Sequence, residues 1–310
     1  MFKISLTKLY LRKYSTLIVR PFSGAAILFK EALPILLLLT VWDLLVVIGF
    51  LVFNFDWLNQ SDIPIALLGS VLAIIVGIRN NAAYDRWWEA RSLWGSVTNN
   101  CRNFGRDVMS LLDGDIRLMK MIALYPEFLK CGLQESLISE PIQSELKELI
   151  PLESDSVLSA ANPTDMLLCK IGILSSELAS TKQNVIGILP TLDRSLFALA
   201  NAQGGLERIS KTPLPVQYTF LPAVITRVFC IILPLTGVQA LGWWTPLGSS
   251  FIGVFFEMLN QSGISLQNPF SKGPHALPLQ TICNTIKTNI YEMTGWKPPE
   301  PTPIIGGIRS

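Results

Sequence analysis

Between Ala32 and Phe55 the chain offers about 24 residues of nearly unbroken apolar character, with Asp43 as the single charge inside. A helix of that length crosses a hydrocarbon core of about 30 Å with some tilt. It is too long for the apolar part of a signal peptide, and no small-residue cleavage site follows, so the segment reads as a retained membrane span. A second run, Ile63 to Ile78, is about 16 residues long and stops at Arg79, whose side chain could snorkel to water. A third covers Val216 to Val238 with Arg227 inside it, and a fourth, shorter one covers Leu247 to Leu259. Four spans is the parsimonious count, although the last is short enough to be re-entrant or interfacial.

The rest of the composition narrows the function. Only 15% of the 310 residues are charged, against about 25% in soluble domains. A net charge of +2 gives no global field to steer nucleic acid. Five cysteines without CxxC spacing exclude a disulfide framework or a structural zinc site, and a lone histidine, His275, excludes His-based catalysis and multi-His metal centres. No HExxH, GxSxG, P-loop or clustered carboxylate pair supports an enzyme.

Orientation follows from the bases. Residues 1–31 hold Lys3, Lys8, Arg12, Lys13, Arg20 and Lys30 against Glu31 alone, whereas the loop 54–62 has two acids and no base. The positive-inside rule then places the N-terminus in the cytoplasm, and four spans return the C-terminus there, in a multi-pass inner (plasma) membrane protein. The chain divides into a cytoplasmic segment 1–31, two spans in 32–78, a cytoplasmic helical region 79–212, two spans in 213–263, and a cytoplasmic C-terminal segment and tail, 264–310. Region 79–212 carries 14 bases and 16 acids, a balanced and solvated set, and 150–165 within it reads as a loop between helices.

Ser61-Asp62-Ile63-Pro64 signals a helix start, and no proline follows until Pro126. One helix of about 48 residues, roughly 70 Å long, can therefore run through the second span and beyond. Ile63, Leu67 and Val71 fall at i, i+4 and i+8 on it, either as a packing stripe or as an apolar constriction that gates by dewetting when repeated around a ring. Gly69 and Gly77 allow close approach on other faces. Just beyond, Arg79-Asn80-Asn81-Ala82-Ala83-Tyr84-Asp85-Arg86-Trp87-Trp88-Glu89-Ala90-Arg91 continues to Leu93-Trp94-Gly95. Its aromatics suit a membrane interface, and Arg86 and Glu89 can pair at i, i+3.

Residues 79–95 resemble the signature that follows the second span in prokaryotic members of the bestrophin family. The likeness extends to Ile63-Pro64-Ile65, Leu206-Glu207-Arg208-Ile209, Thr212-Pro213-Leu214-Pro215, Tyr218-Thr219 and Asn268-Pro269-Phe270, in the expected order. The resemblance implies an all-α integral membrane protein with four transmembrane helices and a helical cytoplasmic region, assembled as a homopentameric ion channel around one axial pore. It implies a neck lined by Ile63, Leu67 and Val71 and a cytosolic aperture near Ile188, with Ile186 as the neighbouring candidate. Animal relatives follow Asn-Pro-Phe with acids that help bind calcium. Here Ser271-Lys272-Gly273-Pro274-His275-Ala276-Leu277 contains no carboxylate, so no calcium clasp, metal or cofactor is expected.

Asp43 and Arg227 stand out because charge in hydrocarbon is costly; they could serve an ion route, or pair with each other or with Glu257 between packed helices. Asp56 and Asp62 are candidates for an external mouth that attracts cations. His275 reads as a loop residue, and the proline-rich tail from Lys297 to Ser310 as extended. The expected partners are the chain itself, membrane lipid and small monovalent ions, without nucleic acid. Passive conduction with a slight preference for cations is the leading expectation, and an anion channel of the same architecture is the alternative. A secondary transporter using Asp43, Arg227 and Glu257, or a non-conducting scaffold, would also fit a polytopic membrane chain, although no inverted repeat is visible.

Overall fold

The computed structural model describes residues 33–273 and 275–298, with the backbone alone of 304–305 and 308–309. The basic segment 1–31, on which the orientation rests, and most of the tail from Lys297 to Ser310 lie outside the described residues. The fold is all-helical, with α1 at Leu33–Leu51 and α2 at Ile65–Leu111. There follow α3 (Ile116–Leu133), α4 (Glu140–Leu149), α5 (Ser154–Leu158), α6 (Pro163–Ser180) and α7 (Val185–Lys211), then α8 (Val216–Leu241), α9 (Thr245–Gln267) and α10 (Leu279–Thr294). A two-residue antiparallel ladder joins the backbone of Ile304–Ile305 to that of Ile308–Arg309.

The chain divides into two compact units, one of 1–85 with 214–267 and one of 86–213 with 268–310. The first division therefore falls inside α2, seven residues beyond the Ile78 boundary read from the sequence. The first unit holds α1, the opening half of α2, α8 and α9. Their apolar faces meet in two small clusters, Val46, Val47 and Val238 in one, Leu72, Val76 and Phe229 in the other. Phe229 meets Phe256 edge-on at 5.0 Å, and a Cβ placed at Gly69 would reach ordinary van der Waals contact with the Phe229 ring, at 3.4 Å. Many other side chains on these helices are exposed and apolar, as lipid or a second copy of the chain would require.

α8 and α9 are antiparallel neighbours because only the 3-10 turn Gly242–Trp244 separates them, and Gly242 sits at φ +50°, a conformation that favours glycine. α9 is 23 residues long and exceeds the Leu247–Leu259 run by Thr245 and Pro246 at its start and by residues 260–267, beginning with Asn260 and Gln261, at its end. By length and apolarity α1, α2, α7 and the α8–α9 stretch could each cross a bilayer. α7 was not among the spans read from the sequence; its Leu192, Leu199 and Leu206 are buried in the core of the second unit, which accounts for its apolar character.

That second unit packs the continuation of α2 with α3, α4, α6, α7 and α10 around Trp94, Phe104, Phe128, Ile171, Leu199, Ile286 and Ile290. Asp115 caps α3, its Oδ1 accepting from the Arg117 and Leu118 backbone N–H groups at 3.0 and 3.1 Å. Asn162 caps α6 in the same way, through the Asp165 N–H, with Pro163 at the first helical position. Residues 150–165, read as a loop, contain the short helix α5, whose Ser154 and Val157 are buried.

Candidate pore surface

α2 sorts its side chains by face. Leu72, Val76, Arg79 and Ala83 are buried within the first unit. On the opposite side Leu67 is 67% exposed, Val71 51%, Ile74 62% and Ile78 54%. The steps of four, three and four residues between them trace one helical stripe. The structure thus carries the apolar stripe beyond Val71, where the sequence reading stopped, by two further isoleucines. Continued i+3 and i+4 spacing was the signal that would have found them.

Ile63 is placed differently. It lies in the turn before α2 and is half-buried, its N–H donating to the Gln60 carbonyl at 3.1 Å. The helix opens on the Pro64 carbonyl, which accepts from the Leu67 and Leu68 N–H groups. Asp56, in the 3-10 turn Asp56–Leu58, and Asp62 are both exposed on the connection between α1 and α2.

Arg79 closes the second apolar run, but it does not snorkel. It is fully buried, and its Nη2 donates to the Asn260 carbonyl at 2.7 Å and to Asn260 Oδ1 at 2.9 Å. Its Nε donates to Asn80 Oδ1 at 2.9 Å, and Asn80 Nδ2 donates to the Leu259 carbonyl at 3.0 Å. Glu257 is half-buried and accepts from Asn260 Nδ2 at 3.3 Å. Gly263 is what lets the guanidinium lie there, since any side chain at that position would overlap Asn80 and Arg79.

The expected pairing of Asp43 with Arg227 or Glu257 is not formed. Asp43 is buried, and its Oδ2 accepts from the Ser249 and Ser250 hydroxyls at 2.5 and 2.6 Å. Two hydroxyls satisfy a buried carboxylate without the desolvation of a second charge. Arg227 lies on the exposed side of α8, and Glu257 belongs to the α2–α9 tie. The adjacent serines inside an apolar run were the overlooked signal for the Asp43 partner.

In the second unit, Arg86 donates to the carbonyls of Ile209 and Thr212, so it satisfies the open C-terminal carbonyls of α7. Burial pulls its guanidinium below the ordinary range, and the charge of Glu89 opposes that shift. Glu89 in turn receives Arg208. Ile188 and Ile186 separate sharply: Ile188 is 7% exposed and packed in the core, whereas Ile186, in the first turn of α7, is 90% exposed. Asn268, Pro269 and Phe270 line a cleft of about 340 Å³ with Arg86, Gln134, Glu135 and Ser210. The Pro269 carbonyl there accepts the Leu277 N–H at 2.8 Å. His275 lies in that loop, its carbonyl accepting from Trp87 Nε1 at 3.1 Å.

The sequence profile described as Bacterial/Fungal Bestrophin protein matches residues 13–292. The chain belongs to the bestrophin family. Among its relatives, the voltage-dependent anion channel-forming protein alr2987 of Nostoc sp. is 34% identical over 257 residues, covering 78% of this chain and 82% of that protein. The voltage-dependent anion channel-forming protein YneE of Escherichia coli is 30% identical over 248 residues, covering 78% and 81%. A crystal structure of a bacterial bestrophin homolog from Klebsiella pneumoniae superposes with a TM-score of 0.77 at 30% identity, covering 85% of this chain and 98% of that one. This bestrophin is therefore a membrane protein and an ion channel, not an enzyme.

Proposed function

We propose that five copies of the chain surround one axial pore in the inner membrane, with α1, the front of α2, α8 and α9 as the four spans and both termini cytoplasmic. The pore passes small monovalent ions passively, with a slight preference for cations. The observation that carries this reading is the exposed apolar stripe of α2, set at helical spacing on a face that the first unit leaves uncovered. In a symmetric ring such a stripe becomes a narrow hydrophobic neck, where the cost of stripping water from an ion sets conduction. Ile63, Leu67 and Val71 form its outer part in this proposal, and Ile74 and Ile78 extend it inward. At the cytosolic aperture, a ring residue has to present its side chain, which favours Ile186 over the buried Ile188. Asp56 and Asp62 form the external mouth, and membrane lipid covers the remaining apolar surface.

Flux of potassium from liposomes, comparing the wild type with Leu67→Ala and Ile74→Ala, tests the neck. Both truncations widen an apolar constriction and are expected to raise flux; two variants conducting like the wild type would count against the stripe as the neck. Mass measurement of the solubilised assembly tests the five-fold ring, which a monomer or dimer would sink.

Anion conduction is the second reading, favoured by the names of the two curated relatives. Against it stand the charges of stretches 33–85 and 214–267, which carry Asp43, Asp56, Asp62, Asp85 and Glu257 against Arg79 and Arg227. A reversal potential that follows chloride in a salt gradient would establish the anion reading.

A further inference from the structure

We infer that Asp85 sets the charge preference of the pore, as a ring of carboxylates directly beneath the apolar neck. This rests on the axial-pore reading above and adds to it the residue that distinguishes cations from anions.

The placement follows from α2 alone. Asp85 is 18 residues from Leu67, five full helical turns, so the two side chains leave the helix in the same direction. It is seven residues from Ile78, two turns minus about 20°, and about 10 Å further along the axis. Leu67, Val71, Ile74, Ile78 and Asp85 therefore lie on one line, all exposed.

Asp85 is the first ionisable side chain that this face meets. Arg79, the other charge on this part of α2, points to the opposite side and is held by Asn260. Asp85 itself enters none of the ion pairs formed among the described residues. Arg86, its neighbour in sequence, is turned about 100° away around the helix and is engaged by the α7 carbonyls. One turn further on, Glu89 is compensated by Arg208, so the free carboxylate on this line is Asp85.

The physics assigns separate tasks to the two halves of the line. An apolar neck charges nearly the same dehydration cost to a cation and to an anion of equal size, so it gates without choosing sign. A carboxylate ring at its inner end does choose. It lies about 10 Å from the neck, little more than the Debye length of about 8 Å at physiological salt, and rings of Asp or Glu select cations in this way. Charged, low-dielectric constrictions raise local counter-ion concentration by about tenfold or more. With Asp62 just before the other end of the stripe, a cation meets a carboxylate on either side of the neck and an anion meets two barriers.

The test is the permeability ratio of potassium to chloride, measured on the purified full-length protein in planar bilayers under a potassium chloride gradient. The wild type is expected to favour potassium. Asp85→Asn is expected to lower that ratio about threefold or more, while Asp85→Glu, which keeps the charge, stays within about twofold of the wild type. An unchanged ratio in Asp85→Asn overturns the assignment, and so does a loss of preference in Asp85→Glu as large as that in Asp85→Asn. A wild type that favours chloride overturns it as well, while leaving the pore itself standing. If the wild type carries no current, or if Ile74→Ala conducts no better than the wild type, the axial neck falls and Asp85 loses its role with it.

Discussion

Replacing Gly263 with alanine should loosen the membrane unit at its most tightly built point. The new methyl would overlap Asn80 Oδ1 outright and lie 2.5 Å from Arg79 Nε and 2.8 Å from Arg79 Cζ. None of these is the free end of a flexible chain, because Arg79 is fully buried and held at two atoms of Asn260, 2.7 and 2.9 Å away. If the guanidinium shifts to make room, overpacking costs about 1–3 kcal/mol. If it loses Asn260, each charged hydrogen bond is worth about 1.5–3 kcal/mol, and a buried charge left without partners costs about 3–5 kcal/mol. These costs overlap, so a net loss of about 3–5 kcal/mol is expected, a fall in melting temperature of roughly 6–15 °C. Gly77→Ala is the control on the same helix: nothing lies within 4 Å of its added carbon, and alanine is the better helix former, so its effect should stay within about 1 kcal/mol. Thermal unfolding of the detergent-solubilised protein, followed by loss of the assembled species on gel filtration, reads both. A Gly263→Ala variant melting within about 2 °C of the wild type would refute the idea that Arg79 is clamped.

Three further outcomes follow. A maleimide should label one thiol per native chain quickly, Cys169, because Cys101, Cys131, Cys230 and Cys283 are buried; two or more fast thiols would contradict that burial. Melting temperature should hold up to about pH 9 and then fall. Burial pushes the Cys101 and Cys283 thiols above their ordinary 9.0, so above that pH the unfolded chain releases protons that the folded one keeps, and stability drops as pH rises. Lys130 and Lys287 act in the same direction: burial lowers them, but Glu127 and Glu145 outweigh it and leave both above 10.5, so the stability they add is intact below that value and lost above it. A melting curve flat to about pH 11 would be inconsistent with those shifts. Ser249→Ala and Ser250→Ala should each cost about 1 kcal/mol, and the double variant more than twice that, because the last hydroxyl lost leaves the buried Asp43 carboxylate with the Ser250 backbone N–H alone. Strict additivity would argue that this N–H alone suffices for the carboxylate.

The membrane helices were legible because burial in lipid requires long apolar runs, and such runs are visible without any partner. The stripe on α2 was legible for the same reason, as far as Val71. Ile74 and Ile78 continue it at the same i+3 and i+4 spacing, whereas Leu72 and Val76, apolar too, fall on the face that points into the unit. The charged residues were harder. Arg79 looked like a span terminator and Asp43 like half of an ion pair, yet both are hydrogen-bonded by neutral polar groups about 200 residues away, at Asn260 and at Ser249 and Ser250. Nothing in the residue types alone says which distant amide or hydroxyl a buried charge will find. Ile186 and Ile188 make the same point in the second unit, where two identical side chains two residues apart face opposite ways.

Because Leu67, Ile78 and Asp85 ride on one uninterrupted helix without proline, α2 tolerates changes of length only in certain sizes. One residue inserted between Ile78 and Asp85 would rotate the carboxylate by about 100° and carry it off the stripe, although every residue would remain. Seven inserted residues would rotate it by only about 20° and displace it by about 10 Å. Relatives of this chain that differ in the length of this helix should therefore differ by whole pairs of turns, and an engineered single-residue insertion here should be more damaging than most substitutions along the same face.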